Sequence, residues 1–272
     1  MKIIICWTEQ QAFYFKWLNV KLFKKLEGRP PFCLPGCYFC SRFFFSTFES
    51  HLTKPHMIIN LSDKDSILNR FLAEIRDSNT QKDRMRFRRN LERIGEIMAY
   101  ELSKKLLYAT EEVETPLGVA KVKLPTQRIV LATILRAGIP LHQGMLNYFD
   151  RAENAYVSAY RKHHKDGTFE INLEYVSCPS LTDSVLVITD PMLATGASMD
   201  IAIRELKHFG EPSQIHVVTA VASIQGLDHI RRNHPKAHIW MGALDEELTA
   251  KSYIVPGLGD AGDLSYGAKI QE

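Results

Sequence analysis

One acid followed by a run of small residues marks where this chain could do chemistry. In the string VLVITDPMLATGASMD, residues 185–200, a β-branched apolar run ends on Asp190 and gives way to Pro191, Met192, Leu193, Ala194, Thr195, Gly196, Ala197 and Ser198. Residues 185–189 read as a buried strand of a parallel sheet. Asp190 then stands at the carboxyl end of that strand, the edge at which open α/β sheets bind ligands. The loop after it has little side-chain bulk, so its backbone N–H groups can converge on an anion. A helix opening near Ser198 adds the positive end of its dipole. A carboxylate for sugar hydroxyls beside amides for a phosphate makes a ribose-phosphate site. The string lacks the lysine of a P-loop and the three spaced glycines of a dinucleotide fold, which argues against both. The plain alternative is a tight turn before a capped helix.

Three further strings carry chemistry. Residues 134–138, ILRAG, end an apolar run on Arg136 and a glycine. An arginine fork binds phosphate bidentately, and glycine lets backbone approach a diphosphate, although a surface arginine beside a turn would look the same. Residues 160–170, YRKHHKDGTFE, form a polar segment between two strands, with Arg161, Lys162, His163, His164 and Lys165 able to fold over a polyanion as a lid. For the histidine pair a solvated charge run is the better reading. Residues 253–263, YIVPGLGDAGD, combine so many glycines with a proline that they read as a shaped loop rather than regular structure. Such a loop exposes amides and carbonyls that could read the edge of a planar base. A plain terminal loop is the alternative.

Taken together, DPMLATGAS, ILRAG and YIVPGLGDAGD resemble the motifs of the uracil phosphoribosyltransferases, and the resemblance runs from Met57 to Glu272. Asp190-Pro191 matches the branch of phosphoribosyltransferases that keeps one acid at this position where others have two. The resemblance implies a type I phosphoribosyltransferase fold with a C-terminal hood for the base, and transfer of the 5-phosphoribosyl group of phosphoribosyl pyrophosphate (PRPP) to uracil N1. It implies that Asp190 and Arg136 carry the catalysis. PRPP is expected to meet Arg136, Arg161, Asp190, residues Pro191, Met192, Leu193, Ala194, Thr195, Gly196, Ala197 and Ser198, and Asp260. Uracil is expected to meet Ile254, Gly259, Asp260 and Ala261. Mg²⁺ is expected on PRPP, held by substrate and water rather than by protein ligands. A homodimer or higher homo-oligomer is implied, with GTP a candidate effector. Two departures stand out: the histidine pair in the lid, and Ala197 where the family often has a second glycine. If residue 197 needed positive φ, alanine would cost about 1 kcal/mol. The rival readings are a regulatory protein that binds PRPP or UMP on the same fold, and a phosphoribosyltransferase for another base.

Strands alternating with helices must position these residues. The apolar spacing predicts helices over 62–77, capped by Ser62 or Asp63, and over 80–107. A hairpin region follows around Pro116 and Gly118. Strands are then expected at 129–135, 155–160, 169–176, 185–189, 215–221 and 238–241, with helices over 140–148, 198–209 and from 227. That alternation argues a mostly parallel α/β sheet flanked by helices. Arg84, Arg86, Arg88 and Arg89 in the second helix read as a solvated or subunit-contacting face neutralised by Glu92 and Glu96.

The 272 residues suffice for one good core and a small appended segment. Charge is unevenly placed: residues 1–56 hold eight Lys or Arg against three Asp or Glu, whereas the rest hold 26 against 28. The main domain is therefore mildly acidic, which gives no case for a nucleic-acid partner. Residues 1–56 also hold nine of the 14 Phe and four of the five Cys without amphipathic period, and no apolar run there is long enough to span a bilayer. Cys33, Cys37 and Cys40 have the spacing of an iron–sulfur cluster motif, but the barrel such a motif needs does not follow. We read residues 1–56 as an extension, unstructured or an upstream translation of the gene, with Met57 the functional start. The remaining Cys178 fits a reducing, cytoplasmic setting without disulfides.

Overall fold

A computed structural model describes residues 57–163 and 169–269, with the side chains of 159–163 and 169–173 outside the description. The cysteine motif, the extension and His164 lie outside the described residues.

The centre is a sheet of parallel strands whose residues alternate between two cores. Strand β7 (Val185–Thr189) shows why: Val185 and Val187 enter one hydrophobic cluster while Leu186 and Ile188 enter the other, and all five residues are buried. A strand covered on both faces needs an apolar residue at every position, which is the run visible in the sequence. Beside it lie β4 (Ile129–Leu135) and β9 (Gln214–Ser223), then β10 (His238–Asp245) and the short edge strand β1 (Ile58–Asn60). On the other side β5 (Glu153–His163) pairs with β4 and carries the final strand, β6 (Phe169–Ser177). The order is β1-β10-β9-β7-β4-β5-β6, with β8 (Met192–Leu193) paired to β9; β5–β6 is the antiparallel pair of this sheet.

Helices α1 (Leu68–Arg76), α2 (Arg84–Ser103) and α3 (Ile139–Leu146) cover one face, and α4 (Ala197–Leu206) and α5 (Ile224–Asn233) the other. Leu91, Ile94, Met98 and Leu102 of α2 recur at helical spacing and are fully buried against Trp240 and Leu131. A hairpin of β2 (Tyr108–Thr115) and β3 (Gly118–Pro125) projects from the end of α2, and at the C-terminus β11 (Glu247–Leu248) and β12 (Ile254–Val255) precede α6 (Ala261–Tyr266).

Several expected boundaries move for local reasons. The first helix does not begin at Ser62: Asn60 caps a single 3-10 turn over Leu61–Asp63, and α1 starts afresh at Leu68, after Ser66 Oγ accepts the Leu68 N–H at 3.3 Å. The second begins at Arg84 because Asp83 caps it through the Arg86 N–H at 3.1 Å, and it stops at Ser103 rather than Leu107. The segment from Tyr160 is not a loop at its start, since β5 runs to His163 and Arg161 pairs with Ile171 across the hairpin. Nor is 253–263 irregular throughout. Ile254 and Val255 pair with Leu248 and Glu247, and Ala261 already begins α6, so the shaped part is residues 256–260.

Candidate active site

The candidate residues converge at the carboxyl ends of β4, β7 and β9. Just below that edge two threonines tie β4 to β7: Thr133 Oγ1 donates to Thr189 O at 3.3 Å and Thr189 Oγ1 to Ala132 O at 3.1 Å. Thr133 is level with Thr189 in the parallel register, so Asp190 emerges one residue and Arg136 three residues above the same rung. The Asp190 N–H bonds to Val218 O at 3.1 Å, which holds it to β9 as well. The acid and the arginine are neighbours because adjacent strands end together.

The loop after Asp190 is built against α5. Met192 and Leu193 pair with Val221 and Ala222 of β9, which commits their backbone to the sheet and leaves Thr195 to Ser198 at the open turn. Asp190 Oδ1 accepts the Met192 N–H at 3.5 Å, and Thr195 Oγ1 accepts the Ala197 N–H at 3.4 Å. Gly196 caps α4 in the left-handed region, φ 79°. Ala197 is already the first residue of α4 and has no positive φ, so its methyl carries none of the backbone cost weighed from the sequence. Ser223 anchors the loop from behind: its Oγ donates to Ala194 O at 2.5 Å and accepts the Gly226 N–H at 2.9 Å, capping α5. A Cβ at Gly226 would lie 2.4 Å from Ala194 O, so only glycine permits this approach.

Asp200, one turn into α4, is buried and gathers a network of partners beside the loop. Its carboxylate accepts from Arg204 at 2.6 Å, His234 at 2.7 Å and Asn233 at 3.2 Å, with His229 at 3.3 Å. Burial works against its charge, yet the bonds from His234 and His229 hold it below the usual carboxylate range. Burial also lowers the pKa of His234. The network ties α4 to α5.

The C-terminal segment folds over the 135–138 turn. A Cβ at Gly262 would come 3.9 Å from that of Ala137, and Arg136 Nη2 lies 3.4 Å from both Asp263 Oδ1 and Gly267 O. The Leu135–Arg136 and Val255–Pro256 peptides are cis. Asp260 has a structural task in addition to the binding role expected of it: its Oδ1 accepts the Asp263 N–H at 3.0 Å and caps α6, and Lys269 Nζ approaches its Oδ2 at 3.5 Å. Ile254 and Ala261 are buried, Ile254 in the short pairing with Leu248 and Ala261 as the first residue of α6. A cleft of about 370 Å³ opens beside the hood at the end of β10, lined by Leu244, Asp245, Glu246, Glu247, Val255 and Pro256.

The arginines of α2 divide into two uses. Arg89 pairs with Glu92 at 2.7 Å as the sequence implied, and Arg86 reaches Glu74 of α1 at 2.9 Å, holding that carboxyl down at about 2 with help from Asn90. Arg88 instead donates to Ser265 O at 2.6 Å and lies 5.8 Å from the Tyr266 ring centroid, clasping the hood from below. Spacing along α2 could not reveal that partner, because Ser265 is 177 residues away. Arg76, Asp245, Ser223 and Asp200 were likewise missed. Only the capping position of Ser223 before α5 left a local signal. Arg161 lies on β5 and its side chain is outside the description.

The family model for uracil phosphoribosyltransferase matches residues 62–268. The chain belongs to the uracil phosphoribosyltransferase family. A uracil phosphoribosyltransferase of Porphyromonas gingivalis is 53% identical over 214 residues, which cover 78% of this chain and 99% of the relative. One of Thermococcus gammatolerans is 38% identical over 203 residues, 74% of this chain and 89% of the relative. Among solved structures, the AQ2163 protein from Aquifex aeolicus superposes with a TM-score of 0.70 at 31% identity, covering 79% of this chain and all of that one. The mostly parallel sheet with flanking helices is the type I phosphoribosyltransferase fold, and in this family member the hood is the segment from β11 to α6.

Proposed function

We propose that this chain transfers the 5-phosphoribosyl group of PRPP to N1 of uracil, giving UMP and pyrophosphate. The observation that carries the reading is convergence: Asp190 with its loop, Arg136 and the hood meet at one sheet edge in a member of the uracil phosphoribosyltransferase family. In the transfer the bond from C1′ to the pyrophosphate oxygen breaks ahead of formation of the bond to N1, so positive charge builds on the ribose and negative charge on the leaving group. The N1 proton of uracil is lost to solvent. No protein nucleophile is required; the protein aligns the reactants and stabilises the separating charges.

The Asp190 carboxylate takes the ribose hydroxyls, and the amides and hydroxyls of Thr195 to Ser198 take the 5′-phosphate at the start of α4. Arg136 and Arg161 hold the pyrophosphate, for which Arg136 must exchange its Asp263 and Gly267 contacts. Ile254, Gly259 and Ala261 present backbone groups to the base. Mg²⁺ is carried by the phosphate oxygens of PRPP and by water rather than by protein ligands, so the Asp190 carboxylate keeps its ribose role. When bound, the ion offsets charge on the departing pyrophosphate. Residues 57–272 carry the activity, and residues 1–56 contribute nothing to it; homo-oligomerisation, a GTP effector and a cytoplasmic setting belong to the same reading.

The deciding assay incubates the full chain with PRPP, Mg²⁺ and each free base in turn, following nucleotide and pyrophosphate. UMP with uracil alone is expected. Product with a purine but not uracil, or none with any base, overturns the proposal. A chain beginning at Met57 should keep both KM values within about twofold; loss of activity there would assign the first 56 residues a role.

A further inference from the structure

One ion pair that the proposed chemistry does not use grips the hood, its carboxylate buried and its guanidinium largely so. Arg76 is the last residue of α1 and Asp245 the last of β10. The guanidinium and carboxylate meet through two bonds, Nη1–Oδ2 at 2.8 Å and Nη2–Oδ1 at 2.9 Å. Each partner also takes one side of Gly257: its N–H donates to Asp245 Oδ2 at 2.9 Å, and its carbonyl accepts from Arg76 Nη1 at 3.1 Å. Asp245 is 7% exposed. A carboxylate at a strand end on the ligand edge could be mistaken for a second Asp190. Its oxygens, however, already accept three hydrogen bonds, which leaves it a holder rather than a reactant.

A buried ion pair of this kind roughly breaks even in stability against an apolar one, so its worth lies in the geometry it imposes. Gly257, at φ 53°, sits midway along the shaped part of the hood. The β11–β12 pairing fixes the entry to that part and the Asp260 cap its exit. The Arg76–Asp245 fork fixes the middle, with the neighbouring Leu258 side chain buried in the core. The PRPP cradle rests on other supports, the Thr133–Thr189 ties and the Ser223 anchor.

We infer that Arg76 and Asp245 are positioning residues for the base: they hold residues 256–259 so that the backbone of Ile254, Gly259 and Ala261 is preset for uracil. They thereby set affinity for the base independently of PRPP. This rests on the uracil-transferring reading above.

Steady-state kinetics on the full chain test it, with Arg76→Met, Arg76→Lys and Asp245→Asn beside the wild type. Uracil KM should rise about tenfold or more in Arg76→Met and Asp245→Asn, the effect of one or two lost hydrogen bonds. PRPP KM should stay within about twofold, and Arg76→Lys, which keeps one donor and the charge, should fall between. A purely structural role would lower the active fraction, reducing apparent kcat and leaving both KM values where they were. Unchanged uracil KM in the folded variants, or an equal rise of both KM values, overturns the inference. Should Arg76→Met not fold, the isosteric Asp245→Asn and the charge-keeping Arg76→Lys carry the measurement. Absence of UMP formation by the wild type would refute the reading of function instead.

Discussion

At the level of single residues, the duties proposed for Asp190 and Arg136 are separable because the two follow the ends of different strands and are assigned to different parts of PRPP. Asp190→Ala removes the carboxylate proposed for the ribose but leaves the Asp190 N–H bond to Val218 in place, so the fold should persist. Turnover should drop by about 10²–10³, the loss typical when a group placed for the transition state is deleted. Circular dichroism with single-turnover kinetics checks both halves, and normal turnover would remove Asp190 from the site. Arg136→Ala should mainly raise PRPP KM, by about 10- to 100-fold for a charge-assisted contact worth roughly 1.5–3 kcal/mol. A change confined to uracil KM would mean the two substrates are placed the wrong way round. These two residues were legible in the sequence because each ends an apolar run, where period and composition change together. Arg76 and Asp245 were not, since neither carries a local signal and the bonds joining them span 169 residues.

At the level of elements, the loop proposed to hold the 5′-phosphate owes its shape to a helix that follows it by some thirty residues. Ser223 both caps α5 and holds the Ala194 carbonyl, and Gly226 lets the helix approach to contact. Ser223→Ala should cost about 1 kcal/mol from the lost cap, and Gly226→Ala roughly 1–3 kcal/mol from forced displacement. Because that displacement falls on Ala194, PRPP KM should rise in both variants while uracil KM holds, the reverse of the split expected at Arg76. Thermal melts paired with both KM values check this, and a melt shift with no change in PRPP KM would show the loop to be independent of α5. The strands β4 and β7 match their predicted spans because buried runs bounded by turn residues leave little choice of register. The first two helices start late because Ser66 and Asp83 take their early N–H groups, Ser66 in place of the expected Ser62 or Asp63. The short pairings β1–β10 and β11–β12 escaped notice because two- or three-residue strands are specified by their partners and not by their own period.

Across the whole molecule, buried imidazoles make stability depend on pH in a range where the carboxylates are still ionised. His216 lies between Trp240, whose Nε1 donates to its Nδ1 at 3.1 Å, and Gln214 at 3.2 Å from its Nε2. This arrangement suits the neutral ring with its proton on Nε2. Burial, with His238 beside it, pushes the pKa down to about 3, and burial also lowers those of His142 and His234. Below pH about 6.5 the unfolded chain protonates these rings while the folded chain does not. Unfolding therefore takes up protons, and stability must fall as pH drops from about 6.5 towards the folded values. Glu74 and Asp200, whose pKa values are lowered on folding, add their own loss only at lower pH, once their unfolded forms begin to protonate. Urea midpoints measured at pH 7.5 and 5.0 should therefore differ, with the lower midpoint at pH 5.0. His216→Gln, which can still meet Trp240, should narrow that gap. Equal midpoints at the two pH values in the wild type would show that these histidines titrate alike folded and unfolded, and would place the acid sensitivity of the fold with its carboxylates alone.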